Sequence, residues 1–182
     1  MEHIRVVMVR ENIKDIPQHP LPEGYAVRLY RPGDKDAWVR LQWESDSLSR
    51  GEEMFDNSYG YNLPALERRC FFLVAPDGHD AGTITAWYHQ NYRGLRWGRI
   101  HWLGIIPQHR RKRLSRSLMT VAMNCLARFG HRRAMLGTRS DRIPAIRTYL
   151  NFGFVPDMRC KDAERGWRFV QDAIDHPALS RL

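Results

Sequence analysis

Cysteine is scarce in this chain and poorly spaced for chemistry. Cys70, Cys125 and Cys160 are scattered, with no CxxC pair. The sequence therefore predicts neither a disulfide framework nor a zinc site, and it calls for no other metal. A reduced, cytoplasmic setting fits that usage. Long apolar runs are missing too: none approaches the ~18 residues of a membrane span, and no stretch has the build of a signal peptide. No membrane partner is expected. Internal repeats and low-complexity tracts are absent. Acid is in deficit, with 20 Asp and Glu against 29 Lys and Arg, for a formal net charge of +9. That imbalance predicts attraction to polyanions (nucleotides, nucleotide-bearing cofactors, RNA or an anionic surface), and charge alone does not choose among them.

What is present describes one soluble globular domain: 182 residues, 43% hydrophobic and 11% aromatic, enough to bury a real core. Its organising stretch is residues 105–118. An apolar run (Leu103, Ile105, Ile106) stops at Pro107, which cannot continue a sheet ladder. Arg110, Arg111, Lys112 and Arg113 follow. Leu114, Leu118, Val121, Cys125 and Phe129 then recur at helical spacing, and Gly130 sits just past the end. A helix N-terminus already carries about half a positive charge, and each added cation there costs roughly 0.3–1 kcal/mol. Cations gathered at such a point make sense where an anion rests between free backbone N–H groups and guanidinium forks. A solvated basic turn or a nucleic-acid patch is the plainer alternative.

In chain order, residues 4–9 read as a strand and the Pro-rich residues 16–24 as an ordered connector. Residues 1–23 thus form a strand and connector packed on a single domain at 24–182, with its core at 24–156 and a C-terminal helix over 163–174. Tyr25–Tyr30 alternates as a strand does, and Asp34 leads into a helix with Ala37, Trp38 and Leu41 inward. Residues 44–61 read as irregular. They hold an acidic island (Glu44, Asp46, Glu52, Glu53, Asp56) around the single Arg50, together with Phe55, Tyr59 and Tyr61. A short helix at 63–69 and strands at 70–75, 81–89 and 96–106 follow, then the long helix at 114–129 and a strand at 134–138. Asp141 is placed to cap a helix with Pro144 in its first turn and Gly153 at its end, before an extended piece from Phe154. Antiparallel hairpins first and crossing helices later predict an α+β fold in three layers.

Two of these stretches resemble signatures of the GNAT N-acetyltransferase superfamily. Pro107 to Ser115, after a hydrophobic strand, is similar to its acetyl-CoA motif, Gln/Arg-x-x-Gly-x-Gly/Ala at the opening of a helix. Pro144-Ala145-Ile146-Arg147-Thr148-Tyr149-Leu150-Asn151-Phe152-Gly153-Phe154 is similar to the second, Ala-Ile-x-x-Tyr-x-x-x-Gly-Phe. The resemblance covers residues 24–156. It implies a GNAT-like three-layer α+β fold whose mixed, mostly antiparallel central sheet is splayed at an acyl-CoA groove. It also implies acetyl-CoA as cosubstrate and an amine as acceptor. By position, backbone groups of Leu103, Gly104 and Ile105 would pair with the pantetheine arm and polarise the thioester carbonyl. Backbone N–H groups of Arg111, Lys112, Arg113, Leu114 and Ser115 would cradle the pyrophosphate, with Arg110 at the Gln/Arg position. Tyr149 would protonate the departing thiolate. The chain departs from the motif at its two small residues, where Arg113 and Ser115 stand, and Arg142 occupies a position where asparagine is common.

Acyl transfer to an amine needs a neutral amine, a stabilised oxyanion and a proton for the leaving thiolate. A tyrosine of pKa about 10 is still protonated where a thiol of about 8.5 ionises, so Tyr149 suits the last task; a packed aromatic is the plainer alternative. For the base, His101 and Leu103 share one strand parity and would face the same side, and an imidazole of pKa ~6.5 can accept a proton. Glu44, His89 or a chain of waters are the alternatives. Trp87, Trp97 and Trp102 read as core or groove lining. The acidic island falls where the superfamily places its acceptor, which would suit a cationic amine: a polyamine, an aminoglycoside-like molecule or a peptide amine. A homodimer is left open. The expected activity is N-acetyl transfer from acetyl-CoA to a primary amine of a small molecule or peptide, by direct attack on the thioester. The alternative is a basic nucleic-acid-binding module or a catalytically degenerate CoA-binding one. The basic run holds no aromatic side chain for base stacking, which disfavours nucleic acid.

Overall fold

The computed structural model describes residues 4–46, 53–60 and 62–180. The alternating and β-branched stretches form strands β1 (Arg5–Arg10), β2 (Ala26–Leu29), β3 (Cys70–Val74), β4 (Asp80–Tyr92), β5 (Leu95–Ile105), β6 (Ala134–Arg139) and β7 (Val155–Pro156). The stretches with helical spacing form α1 (Lys35–Ser45), α2 (Glu53–Tyr59), α3 (Leu63–Leu66), α4 (Leu114–Arg128), α5 (Ile143–Asn151) and α6 (Ala163–Ala173), with a 3₁₀ turn at Pro107–His109. This is an α+β fold: a mixed, open sheet flanked by helices, in the order β2-β3-β4-β5-β6-β1-β7. Its described neighbours pair antiparallel except β5 and β6. A parallel pair needs a crossover, and α4 supplies it.

Cross-strand partners share a face, so the register says which helix covers which side. Thr83 of β4 lies opposite Gly104 of β5, where a Cβ would strike Ser45 and Gln42 of α1. Gly98, of the other parity, would strike Leu126 of α4. Thus α1 and α4 cover opposite faces. Trp38, Phe72, Leu114, Phe152, Phe154 and Trp167 fill the core between these layers. The Pro-rich connector has no regular structure but is tied to α4: Ser117 Oγ donates to the Pro20 carbonyl at 2.7 Å, and Thr120 Oγ1 to that of Pro17 at 2.9 Å.

Three features differ from the sequence reading. Residues 53–59 are helical rather than irregular, because Phe55 and Tyr59, four apart, both bury against Trp38. Asp141 does not cap α5; its carboxylate accepts from Arg139, and Arg142 occupies the cap position. The expected parity of His101 and Leu103 is broken, as described below. The N-terminal strand β1 sits inside the sheet, between β6 and β7, with α6 laid on it so closely that a Cβ at Gly166 would come within 2.6 Å of Val6 Cγ1. Among the described residues no helix is long and apolar enough to cross a membrane.

Candidate active site

The site begins where β5 and β6 part. Their ladder consists of Gly98 opposite Ala134 and Arg99 opposite Met135. Beyond that point β5 bends away. A bulge follows in the same stretch: Thr85 faces His101 and Thr83 faces Gly104, so two steps on β4 match three on β5. Trp102 absorbs the extra residue with φ +52°, a left-handed conformation that is costly for a bulky side chain. Its carbonyl accepts from Gln42 Nε2 at 3.2 Å and Thr83 Oγ1 at 3.1 Å, while Gln42 Nε2 also donates to Thr83 Oγ1 at 2.6 Å. Its indole N–H donates to Ser58 Oγ at 2.8 Å. The buried Gln42–Thr83 pair therefore holds the strained corner in place.

The bulge also overturns the parity expectation. His101 shares a face with Thr85, Thr83 and Gly104, and Leu103, next to Gly104 in an alternating strand, points to the other. Both still line one groove of about 590 Å³ in the split, with Gly137 and Thr138 of β6 on the far wall and Tyr149 of α5 reaching in. Beyond Arg99 the β5 edge that carries Leu103, Gly104 and Ile105 has no ladder partner from β6.

An adjacent cavity of about 540 Å³ opens at the start of α4, between Arg110, Arg111, Arg113, Leu114 and Ser115 on one side and α5 on the other. Arg111 and Arg113 have φ +61° and +62°, and Arg113 is the N-cap of α4 with no side-chain cap bond. Left-handed residues at such a turn aim successive backbone N–H groups into one concavity, and an uncapped helix start adds its own free donors. The position the motif gives to glycine thus keeps the glycine-like conformation with an arginine in it. Two of the four cations are structurally engaged. Arg110 donates to the carbonyls of Ile105 at 3.2 Å and Ser45 at 2.8 Å, and Lys112 turns to the Tyr25 hydroxyl at 3.0 Å. The Lys112 side chain is therefore outside the cavity, and Leu114 is buried in the core.

Tyr149 is 6% exposed, and its hydroxyl has no hydrogen-bond partner among the described residues. Burial pushes its pKa up to about 12, against a small downward pull from Arg142. Burial, then the charges of Arg99 and Arg5, hold His101 well below the usual imidazole range, so it is neutral at pH 7. Glu44 is paired with Arg40 at 2.9 Å. His89 lies along the sheet in a neighbouring cavity, with Nδ1 buried and unpartnered among the described residues. Of the three side chains considered as a base, His101 is the one that lines the groove with Tyr149.

Three of the island's carboxylates, Glu44, Asp46 and Asp56, are paired with cations, while Glu53 is exposed. Asp46 takes Arg139 at 2.9 Å and also Arg142, and Asp56 takes Lys35 at 3.0 Å. Phe55 and Tyr59 are core; Arg50, Glu52 and Tyr61 lie outside the described residues. Sequence reasoning missed Gln42, Thr83 and the Arg5–Arg99 pair. A glutamine on the inward face of α1, at Leu41 plus one, was the available signal for the first; the others had none. Among the described residues there is no cluster of metal-ligating side chains.

A model described as the acetyltransferase (GNAT) family matches residues 35–154. The mycothiol acetyltransferase of Salinispora arenicola is 31% identical over 154 residues, 76% of this chain and 47% of the relative. That of Streptomyces bingchenggensis is 31% identical over 148 residues, 77% and 46% of the two chains. The chain thus spans about half the length of the curated relatives it matches. Among solved structures, a GCN5-related N-acetyltransferase from Sphaerobacter thermophilus has TM-score 0.70 at 22% identity, over 85% of this chain and 49% of its own. The ribosomal-protein-S18-alanine N-acetyltransferase of Escherichia coli has TM-score 0.58 at 18% identity, over 71% of this chain and 76% of its own.

Proposed function

The chain belongs to the GNAT acetyltransferase family, and from that premise we propose that it moves an acetyl group from acetyl-CoA to the nitrogen of a primary amine. One observation carries the reading. A cavity rimmed by left-handed Arg111 and Arg113 at an uncapped helix start lies beside a groove that holds a buried tyrosine between parted strands. Acetyl-CoA would lay its diphosphate on the N–H groups from Arg111 to Ser115, with Arg113 adding a guanidinium, and run its pantetheine arm along Leu103 to Ile105. These residues fit such a group, since their free donors and charges match an extended anion with a polar, amide-bearing arm.

In the reaction the amine nitrogen attacks the thioester carbonyl, and its oxygen gains negative charge against backbone donors of the free β5 edge. The C–S bond then breaks, and Tyr149 supplies the proton that the thiolate takes. The nitrogen sheds a proton as its lone pair is committed. At that stage it is acidic enough for a neutral, weakly basic imidazole, and His101 takes the part of acceptor. The names of the mycothiol acetyltransferases support acyl-transfer chemistry here; they leave the acceptor open, because the chain matches half of each. Residence in the cytoplasm fits a demand for acetyl-CoA and forms part of this reading.

Thermal melting tests it against the nucleic-acid alternative. Saturating acetyl-CoA at physiological salt should raise the melting temperature, by about 2.7 kcal/mol of stabilisation at a hundredfold excess over Kd. Oligonucleotides should stabilise only at low salt, where counterion release favours them. No response to acetyl-CoA, with salt-resistant oligonucleotide binding, would reverse the assignment.

A further inference from the structure

One face of the β5–β6–β1 part of the sheet buries Val7, Val9, Trp97 and Met135 but opens at Gly137, and it carries two arginines with no ion-pair partner among the described residues. Arg99 lies opposite Met135, Met135 opposite Val9, and Arg5 opposite Arg139, so Arg5, Arg99 and His101 belong to the same face. Two cavities run along it, the groove of about 590 Å³ and a neighbour of about 630 Å³, and both are lined by Arg5 and Arg99. The Nε of Arg99 is buried without a hydrogen bond, and among the described residues neither guanidinium forms an ion pair. The contrast with the rest of the groove is plain, because Arg139 and Arg142 are both tied to Asp46. The Arg5 guanidinium lies over Gly137, with Nε 3.6 Å and Nη2 3.7 Å from where a Cβ would stand.

Arg99 is half-buried and Arg5 stands at the exposed mouth of the groove, and like charges set so close repel unless something anionic joins them. Burial and the neighbouring Arg5 push the pKa of Arg99 down, and burial, then the charges of Arg99 and Arg5, depress that of His101. Acetyl-CoA does not answer the need, since its diphosphate has a separate cradle at the start of α4. A planar oxyanion does, because a guanidinium fork matches a carboxylate or phosphate in bidentate fashion.

We propose that Arg5 and Arg99 form an acceptor subsite for an oxyanion, so that the amine acetylated by this protein also carries a carboxylate or a phosphate. The acceptor is then an acidic amine and not a polyamine. This rests on the acetyltransferase reading, and the test separates the two. CoA is first added to saturation to fill the diphosphate cradle; absence of any CoA-induced rise in melting temperature is failure of the acetyltransferase reading. Inorganic phosphate and malonate are then titrated separately into the CoA-saturated protein. One or both should raise the melting temperature further, which identifies the oxyanion class, and the rise should vanish in Arg99→Met and in Arg5→Gln while the CoA response persists. Arg99→Met should also melt higher than the parent without ligand, because it removes a half-buried charge whose Nε has no hydrogen bond and which faces Arg5; a merely structural arginine would give the opposite. In turnover with matched probes (β-alanine against β-alaninamide, phosphoethanolamine against ethanolamine), the acid-bearing member of one pair should be favoured at least about tenfold in kcat/KM, equivalent to about 1.4 kcal/mol. That ratio should fall toward one in Arg5→Gln. Oxyanion responses unchanged by both substitutions, or a preference for spermidine over every acidic amine, would overturn the proposal.

Discussion

Tyr149 shows how far a single residue can be understood from its type and surroundings. Its phenol is buried at the wall of a groove in a split sheet, without a hydrogen-bond partner among the described residues, and burial lifts its pKa to about 12. It therefore keeps its proton across the whole range in which an amine can be neutral and a thiolate can leave. Tyr149→Phe should slow acetyl-CoA-dependent thiol release by about 10²-fold, in the range typical of general acids, with acetyl-CoA affinity little changed, as read by thiol-reactive dye and calorimetry side by side. Equal loss of affinity would make it a packing residue only. Position in the helix was legible from the Ala145–Phe154 pattern; the isolation of the hydroxyl was not, because it depends on β5 and β6, which lie far away in the chain.

At the scale of elements, the decisive structures are two irregular joints. The first is the turn into α4. Leucine spacing from Leu114 onward locates the helix, and the cations locate its start, so this joint was visible in the sequence. The left-handed backbone of Arg113 was not, since arginine carries no preference for it. Arg113→Gly should relieve that conformation and raise stability by about 0.5–1 kcal/mol, measured by urea unfolding. Acetyl-CoA affinity should fall at the same time, because a guanidinium at the cavity rim is lost; a gain in affinity would show that the side chain obstructs the diphosphate instead. The second joint is the bulge at Trp102. Alternation in His101–Ile105 looks regular on paper, and one extra residue in the register moves Leu103 to the face opposite His101. Nothing local announces it. Gln42 and Thr83 hold it from 41 residues apart in sequence, and only their meeting gives the corner its support.

Across the whole molecule, charge and burial set how the fold responds to pH. His131 is 9% exposed, and burial, then the charges of Arg69 and Arg96, lower its pKa to about 4; His101 is lowered in the same way. Both are neutral in the folded chain. Below the ordinary imidazole value of ~6.5 the unfolded chain binds protons that the folded one refuses. Stability should thus decline as pH falls from about 6.5 toward about 4, by on the order of 1 kcal/mol for His131 once partial solvation is allowed for, with His101 acting in the same direction. Urea midpoints at pH 7.5 and 4.5 measure this, and His131→Gln should flatten the decline; an unaltered slope would place the titrating group elsewhere.

Periodicity and turn residues were enough to predict an α+β fold and to order its elements from Tyr25 to Val155, and leucine spacing with the cationic run was enough to locate the start of α4. Those are local properties, written in spacings of two, three and four residues. Insertion of β1 between β6 and β7, the pairing of the acidic island with Lys35, Arg40, Arg139 and Arg142, and the meeting of Arg5 with Arg99 depend on residues brought together from distant parts of the chain. A carboxylate reads as a free charge until its partner is known, and a strand residue has no definite face until its register is. Contacts through space supply both, and neither spacing nor composition encodes them.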